Sequence, residues 1–93
     1  MLITAPFVKK YAVNSYNSED IETCKYYALG AKKYTKFMKI KSTQCGCADY
    51  KIVKAFFYIE KAEQQILLHD CKKNINTALN WLDKVVKTLT ICK

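Results

Sequence analysis

The chain has no arginine among its 93 residues, although it carries sixteen lysines. Arginine supplies the planar, bidentate contacts that mark many guanine- and phosphate-reading proteins, so its absence weakens a sequence-specific nucleic-acid reading. Glycine and proline are almost missing too. Gly30, Gly46 and Pro6 are all there are, which leaves few breakers along an almost entirely helical chain. No apolar run approaches the roughly 20 residues a bilayer-spanning helix needs. The opening MLITAPFVKKYAV lacks a charged segment followed by a long apolar one, so it is not a signal peptide as it stands. Two locations fit: a cytoplasmic chain, or an extracytoplasmic mature form whose signal has been removed.

With breakers absent and no sustained alternation, the longer segments follow a helical period. Cys71, Ile75, Ala78, Leu82, Val85, Leu89 and Cys92 step by four and three, widened by Leu79 and Val86. Ala48, Ile52, Ala55, Phe56, Ile59, Ala62 and Ile66 form a second stripe. Cys24, Ala28, Ala31, Thr35 and Met38 form a third, with Tyr27 and Tyr34 alongside. Phe7, Val8, Tyr11, Ala12 and Ser15 form a fourth.

A shift of 47 residues places Cys24 on Cys71 and Cys45 on Cys92 without a gap. Tyr11 then meets Tyr58, Ala31 meets Ala78 and Tyr34 meets Trp81. The expectation is an all-α fold of two helical hairpins, about 5–15/19–41 and 48–64/67–91, packed as a four-helix bundle or short α-solenoid. One domain, 1–93, would consist of two repeats, 1–46 and 47–93, joined through Ser42 to Cys47. Asn17 and Ser18 are candidate N-caps for the second helix, with Glu19, Asp20 and Glu22 in its first turn. In the second unit the equivalent turn falls at Gln64 to Leu67, with Asp70 as another possible cap.

Five cysteines are many for a chain of this size, and the odd count leaves at least one unpaired within it. Cys24 and Cys71 lie near the starts of the long helices, Cys45 and Cys92 near their ends. If those helices run parallel, Cys24–Cys71 and Cys45–Cys92 can bridge them, with Cys47 as an alternative partner for Cys92. Reduced, buried thiols are the competing reading. A zinc site from Cys45, Cys47, His69 and Cys71 is not expected, because a helix between Cys47 and His69 would hold them on the order of 25–30 Å apart. A redox role for Cys45-Gly46-Cys47 lacks the alternating strands and helices of redox folds.

Catalytic chemistry finds no constellation. His69 is the lone histidine, without a paired nucleophile or orienting acid, and no glycine-rich phosphate loop occurs. No cofactor is expected. The net charge of +8 nonetheless attracts acidic partners of several kinds. Lys25, Lys32, Lys36 and Lys39 form a stripe, with Lys33 beside it. Tyr26, Tyr27, Tyr34 and Phe37 interleave with it and could stack on bases. The same stripe would serve equally against an acidic protein.

The segment KYAVNSYNSEDIETCKYYALGAKKYTKFM followed by STQCGC resembles a loosely defined family of cysteine-bounded helical-hairpin repeat proteins rich in Ala, Tyr and Lys. The second unit, ending LTICK, is similar too, so the resemblance covers most of the chain. It implies an exported protein of unassigned function and brings no catalytic residue. Taken together, the sequence points to a non-enzymatic interaction or structural module, a subunit of a larger assembly that binds a partner protein through Tyr/Lys-rich helix faces. The alternative is a basic nucleic-acid-binding accessory protein.

Overall fold

The computed structural model describes the backbone of residues 4–45 and 49–91 and the side-chain surroundings of residues 6–38 and 50–85. Four helices appear: α1 (Thr4–Tyr16), α2 (Ile21–Cys45), α3 (Asp49–Glu63) and α4 (Leu68–Ile91), with no strand among the described residues. α1 packs on α2 and α4, and α3 also packs on α2 and α4. The helices therefore form a ring with α2 and α4 on one diagonal, where they touch. This is the expected all-α bundle of two hairpins, α1–α2 and α3–α4.

Local chemistry sets the helix ends. Pro6 sits in the first turn of α1, where its missing N–H has no intrahelical partner to lose. α1 closes when the Asn17 N–H donates to the Val13 carbonyl at 2.9 Å and the Ser18 N–H to the Ser15 carbonyl at 3.2 Å. The Ser18 hydroxyl turns back onto that same Ser15 carbonyl at 2.6 Å. Ser18 thus finishes α1 and does not cap α2. The cap is Asp20, whose carboxylate accepts the Thr23 N–H at 3.0 Å. That bonding moves the start of α2 from the expected residue 19 to Ile21. At its other end α2 runs on through Ser42, Thr43 and Gln44, since nothing breaks the helix before Gly46. The joint between hairpins is correspondingly shorter than the expected Ser42 to Cys47.

The second hairpin repeats this geometry 47 residues later. α3 ends at Glu63 as α1 ends at Tyr16, and α4 starts at Leu68 as α2 starts at Ile21. The turn bonds match one for one: Gln64 N–H to Glu60 O, Gln65 N–H to Ala62 O and Cys71 N–H to Leu67 O, against Asn17 to Val13, Ser18 to Ser15 and Cys24 to Asp20. Burial matches as well. Val8, Ala12, Ser15, Cys24, Ala28, Ala31, Thr35 and Met38 are buried, and so is every residue 47 positions on, from Ala55 to Val85.

The stripes read from the sequence supply the buried core, while Phe56, Leu79 and Tyr27 on them are only half-buried and Tyr34 is exposed. Phe7 is half exposed, and Tyr11 is only partly covered. Ile66 lies beyond the end of α3, in the turn, and is 84% exposed. Leu89, Cys92, Ala48 and Val86 fall outside the described side chains. Buried hydroxyls are satisfied within the bundle. Thr35 Oγ1 donates to the Ala31 carbonyl at 2.7 Å, and Ser15 Oγ to the Cys24 carbonyl at 2.8 Å. Each fully buried Ile or Leu contributes on the order of 1.5–3 kcal/mol, and most of that apolar bulk comes from the second hairpin.

Candidate functional site

The cysteine pair sets the axial arrangement. Cys24 and Cys71 are joined by a disulfide with their Cα atoms 6.6 Å apart, and both are fully buried. Ser15 Oγ lies 3.3 Å from the Cys24 sulfur. The bond links the first turns of α2 and α4, so both hairpin turns lie at the same end of the bundle. α2 has 25 residues, a length of about 37 Å. The longest dimension of the molecule is 38 Å. Both long helices must therefore leave the disulfide in the same direction. At 13 and 15 residues, the short helices reach only about 20–22 Å along them. Cys47 and Cys92, and the side chain of Cys45, lie outside the described residues.

Charge is distributed unevenly along that axis. The two turns and the helix ends beside them hold six of the eight acids, Glu19, Asp20, Glu22, Glu60, Glu63 and Asp70, with four of the sixteen lysines. Twelve lysines and two acids remain for the rest of the chain. Among the acids, Asp20 has its carboxyl held below the usual range, first by the side-chain hydrogen bond from Thr23 and then by the Thr23 backbone N–H.

The lysine stripe proves to be two surfaces. Lys25, Lys32 and Lys36 fall within about 40° of one another around α2, while Tyr26, Phe37 and Tyr34 lie about 100° or more away. Lys25 and Lys32 are half-buried on the flank toward α3, where Lys32 approaches Glu60 at 3.9 Å. Lys36 is exposed, Lys33 sits with the aromatics, and the Lys39 side chain lies outside the described residues. The aromatics pack among themselves on the α1 side. Tyr34 stacks against Phe7 at 6.1 Å and against Tyr11 at 5.5 Å, and Tyr26 meets Tyr27 edge-on at 5.3 Å. Their rings engage one another rather than alternating with the lysine stripe.

Two shallow depressions flank this cluster. One, of about 380 Å³, is lined by Tyr11, Tyr26, Leu29, Gly30, Lys33 and Tyr34. The other, of about 290 Å³, lies across the Tyr11–Tyr34 pair and includes Phe7, Lys10 and Asn14. Gly30 makes the first one possible. A Cβ there would lie 2.9 Å from the Tyr11 ring, inside contact distance. The lack of a side chain at Gly30 lets Tyr11 lie flat against α2. Sequence reading passed over Gly30 and Tyr11 as a site. Its signal was available in the 47-residue shift, applied to outward positions instead of core ones.

His69 is exposed at the disulfide end, in an open depression of about 580 Å³ with Tyr16, Glu19, Lys72 and Asn76. Lys72 lies 5.8 Å above the Tyr16 ring there. Among the described residues no three His, Cys, Asp or Glu side chains are grouped to hold a metal ion. Nor, among them, is any helix long and apolar enough to cross a membrane. No protein-family model, curated protein or solved structure matches this chain.

Proposed function

We propose that this chain is a non-enzymatic helical interaction module, a small subunit of a larger assembly that binds a partner protein through the Tyr/Lys-rich outer face of its first hairpin. The observation that carries this reading is the exposed aromatic surface of α1 and α2, where Phe7 is 49%, Tyr26 65%, Tyr34 40% and Phe37 49% exposed. Aromatic side chains supply much of the binding energy at protein interfaces. Placing a photo-crosslinking amino acid at Tyr26 in cells tests it. One defined protein adduct is expected, lost when the crosslinker is moved to Asn80 on the second hairpin. Equal, diffuse crosslinking from both positions would refute the reading.

The lysine excess away from the disulfide end supports nucleic-acid binding as the second reading. It predicts affinity for single strands or duplex that falls steeply with salt and is lost on changing Lys32, Lys36 and Lys39 to Glu. The interaction module binds nucleic acid negligibly at physiological salt.

Both readings rest on a scaffold that we take to be two copies of one hairpin unit, stapled twice. Cys45 lies 21 positions after Cys24, and Cys92 lies 21 after Cys71. Two parallel helices that start level bring such positions back to one level, so Cys92 pairs there with Cys45 or Cys47. Intact mass after thiol blocking, with and without reductant, checks this. Two bridges and one free thiol are expected, whereas five reactive thiols rule the staples out.

A further inference from the structure

The two hairpins provide an internal control for surface chemistry, because the same backbone positions can be compared on each. Tyr26, Leu29 and Lys33 line the groove of the first hairpin, and Phe37 follows Lys33 by about one turn on α2. Their equivalents, 47 residues on, are Lys73, Asn76, Asn80 and Lys84. The scaffold therefore does not need apolar side chains at these places. The ring positions differ in the same sense. Trp81, the equivalent of Tyr34, is covered edge-on by Tyr50 at 5.6 Å, and Lys84 Nζ lies 4.5 Å above it. In the first hairpin the position of that capping lysine is taken by Phe37, which is half exposed.

The chemistry around the groove indicates what covers it. Its lining includes Lys10 and Lys33 and no acid. Among the described residues neither lysine has a carboxylate partner, unlike Lys9 with Asp83 at 2.8 Å and Lys32 with Glu60. A positive rim around an aromatic floor complements an acidic segment carrying apolar side chains. A base-stacking ligand fits less well, because Phe7, Tyr11 and Tyr34 already stack on one another and arginine is absent. Each depression, at about 290 and 380 Å³, has room for one or two large side chains.

We infer that the α1–α2 groove, floored by Tyr11 and Tyr34 over Gly30 and rimmed by Lys10 and Lys33, docks an acidic peptide segment of a partner protein through one or two apolar anchors. This rests on the interaction-module reading and adds to it the site and the chemical class of the partner. The experiment is selection of a displayed random-peptide library on the immobilised full chain, followed by titration of a selected peptide by fluorescence anisotropy. Enrichment of sequences combining Asp or Glu with Leu, Ile, Phe or Trp is expected. Tyr26→Lys with Phe37→Lys, which installs the second hairpin's residues on an exposed face, should weaken the selected peptide by about tenfold or more. Lys10→Glu with Lys33→Glu should weaken it by about tenfold and flatten its salt dependence, while Lys73→Glu changes it by less than about twofold. Circular dichroism confirms that each variant keeps its helices. Peptides without acids, or acidic peptides indifferent to the groove variants, overturn the inference and leave an interaction module that uses another face. No enriched peptide together with tight binding of poly-uridine overturns both. Self-association by analytical ultracentrifugation that is abolished by Phe37→Lys also overturns it, since the occupant is then a second copy of this chain.

Discussion

In the first hairpin Ala12, Ala28 and Thr35 hold the buried positions that Ile59, Ile75 and Leu82 hold in the second. On the outside the difference reverses. Tyr26, Leu29 and Phe37 of the first hairpin stand where the second has Lys73, Asn76 and Lys84. Each hairpin thus has large apolar side chains inside and outside, Tyr50 and Phe57 being exposed on the second, but at these matched positions of the long helices only the first displays them. The second hairpin supplies the bulk of the core, and the first packs small residues against it. Close packing favours such large-to-small complementarity, because two rows of bulky residues would overfill the interior. It also leaves the first hairpin free to carry aromatics outward without loss of core.

If the second hairpin supplies the core, truncation there costs most. Ile75→Ala should lower stability by about 2–5 kcal/mol, whereas Ala28→Gly at the equivalent position should cost about 1 kcal/mol. Urea denaturation measures both, and equal losses would dissolve the asymmetry.

Next in size is the staple that ties the hairpins. Its separation of 47 residues closes a long loop, so replacing Cys24 and Cys71 together with Ala should lower stability by about 2–4 kcal/mol. Oxidised wild type treated with reductant should unfold at a lower urea midpoint than the oxidised double variant, because reductant also opens the proposed second bridge. An unchanged midpoint in both would mean that core packing alone holds the hairpins together.

Gly30 and Thr77 occupy equivalent positions and should answer oppositely to Ala or Gly. An exposed helical Gly→Ala change ordinarily stabilises by about 1 kcal/mol. At Gly30 the new methyl meets the Tyr11 ring at 2.9 Å, so that gain should be absent and the Tyr11–Tyr34 stacking disturbed. Thr77→Gly should cost no more than about 1 kcal/mol. A Gly30→Ala variant about 1 kcal/mol more stable than wild type would show that Tyr11 is free to move aside.

The smallest effects belong to the turns. Asp20 caps α2, but its equivalent is the exposed Leu67, which has no capping oxygen. Leu67→Ser, three residues before Asp70, should stabilise by about 0.5–1 kcal/mol. Because the folded carboxyl of Asp20 titrates below its ordinary value, its contribution is complete above the unfolded pKa. It is lost as pH falls through the lowered folded value. Asp20→Asn should therefore flatten the acid limb of the stability profile, and a parallel acid limb in the variant would remove Asp20 as its source.

The sequence was most informative about what faces inward. Cys24, Ala28, Ala31, Thr35 and Met38 follow the helical period and are all buried, and so are Cys71, Ile75, Ala78, Leu82 and Val85. A stripe at that spacing can be covered only from one side, so period alone sorts the core. Helix ends were less legible. Ser18 has the chemistry of an N-cap yet bonds the helix before it, and Asp20 caps instead, because two adjacent turns compete for the same few polar residues. Ile66 fits the apolar stripe of α3 by number, but the helix ends before reaching it. The surface was least legible. The lysines and aromatics of α2 interleave along the chain but separate around the helix, since sequence order does not show which flank a neighbouring helix covers.

The sequence by itself determined a helical chain, two hairpins 47 residues apart and the residues that share each buried stripe, because periodicity and the scarcity of helix breakers act locally. Tertiary structure alone decided that α2 and α4 meet across one diagonal of the bundle. It likewise decided that the disulfide and six acids share one end, and that Tyr11 lies against Gly30 to floor a lysine-rimmed groove. Those relations join residues far apart in the chain, and only packing of the four helices brings them within contact range.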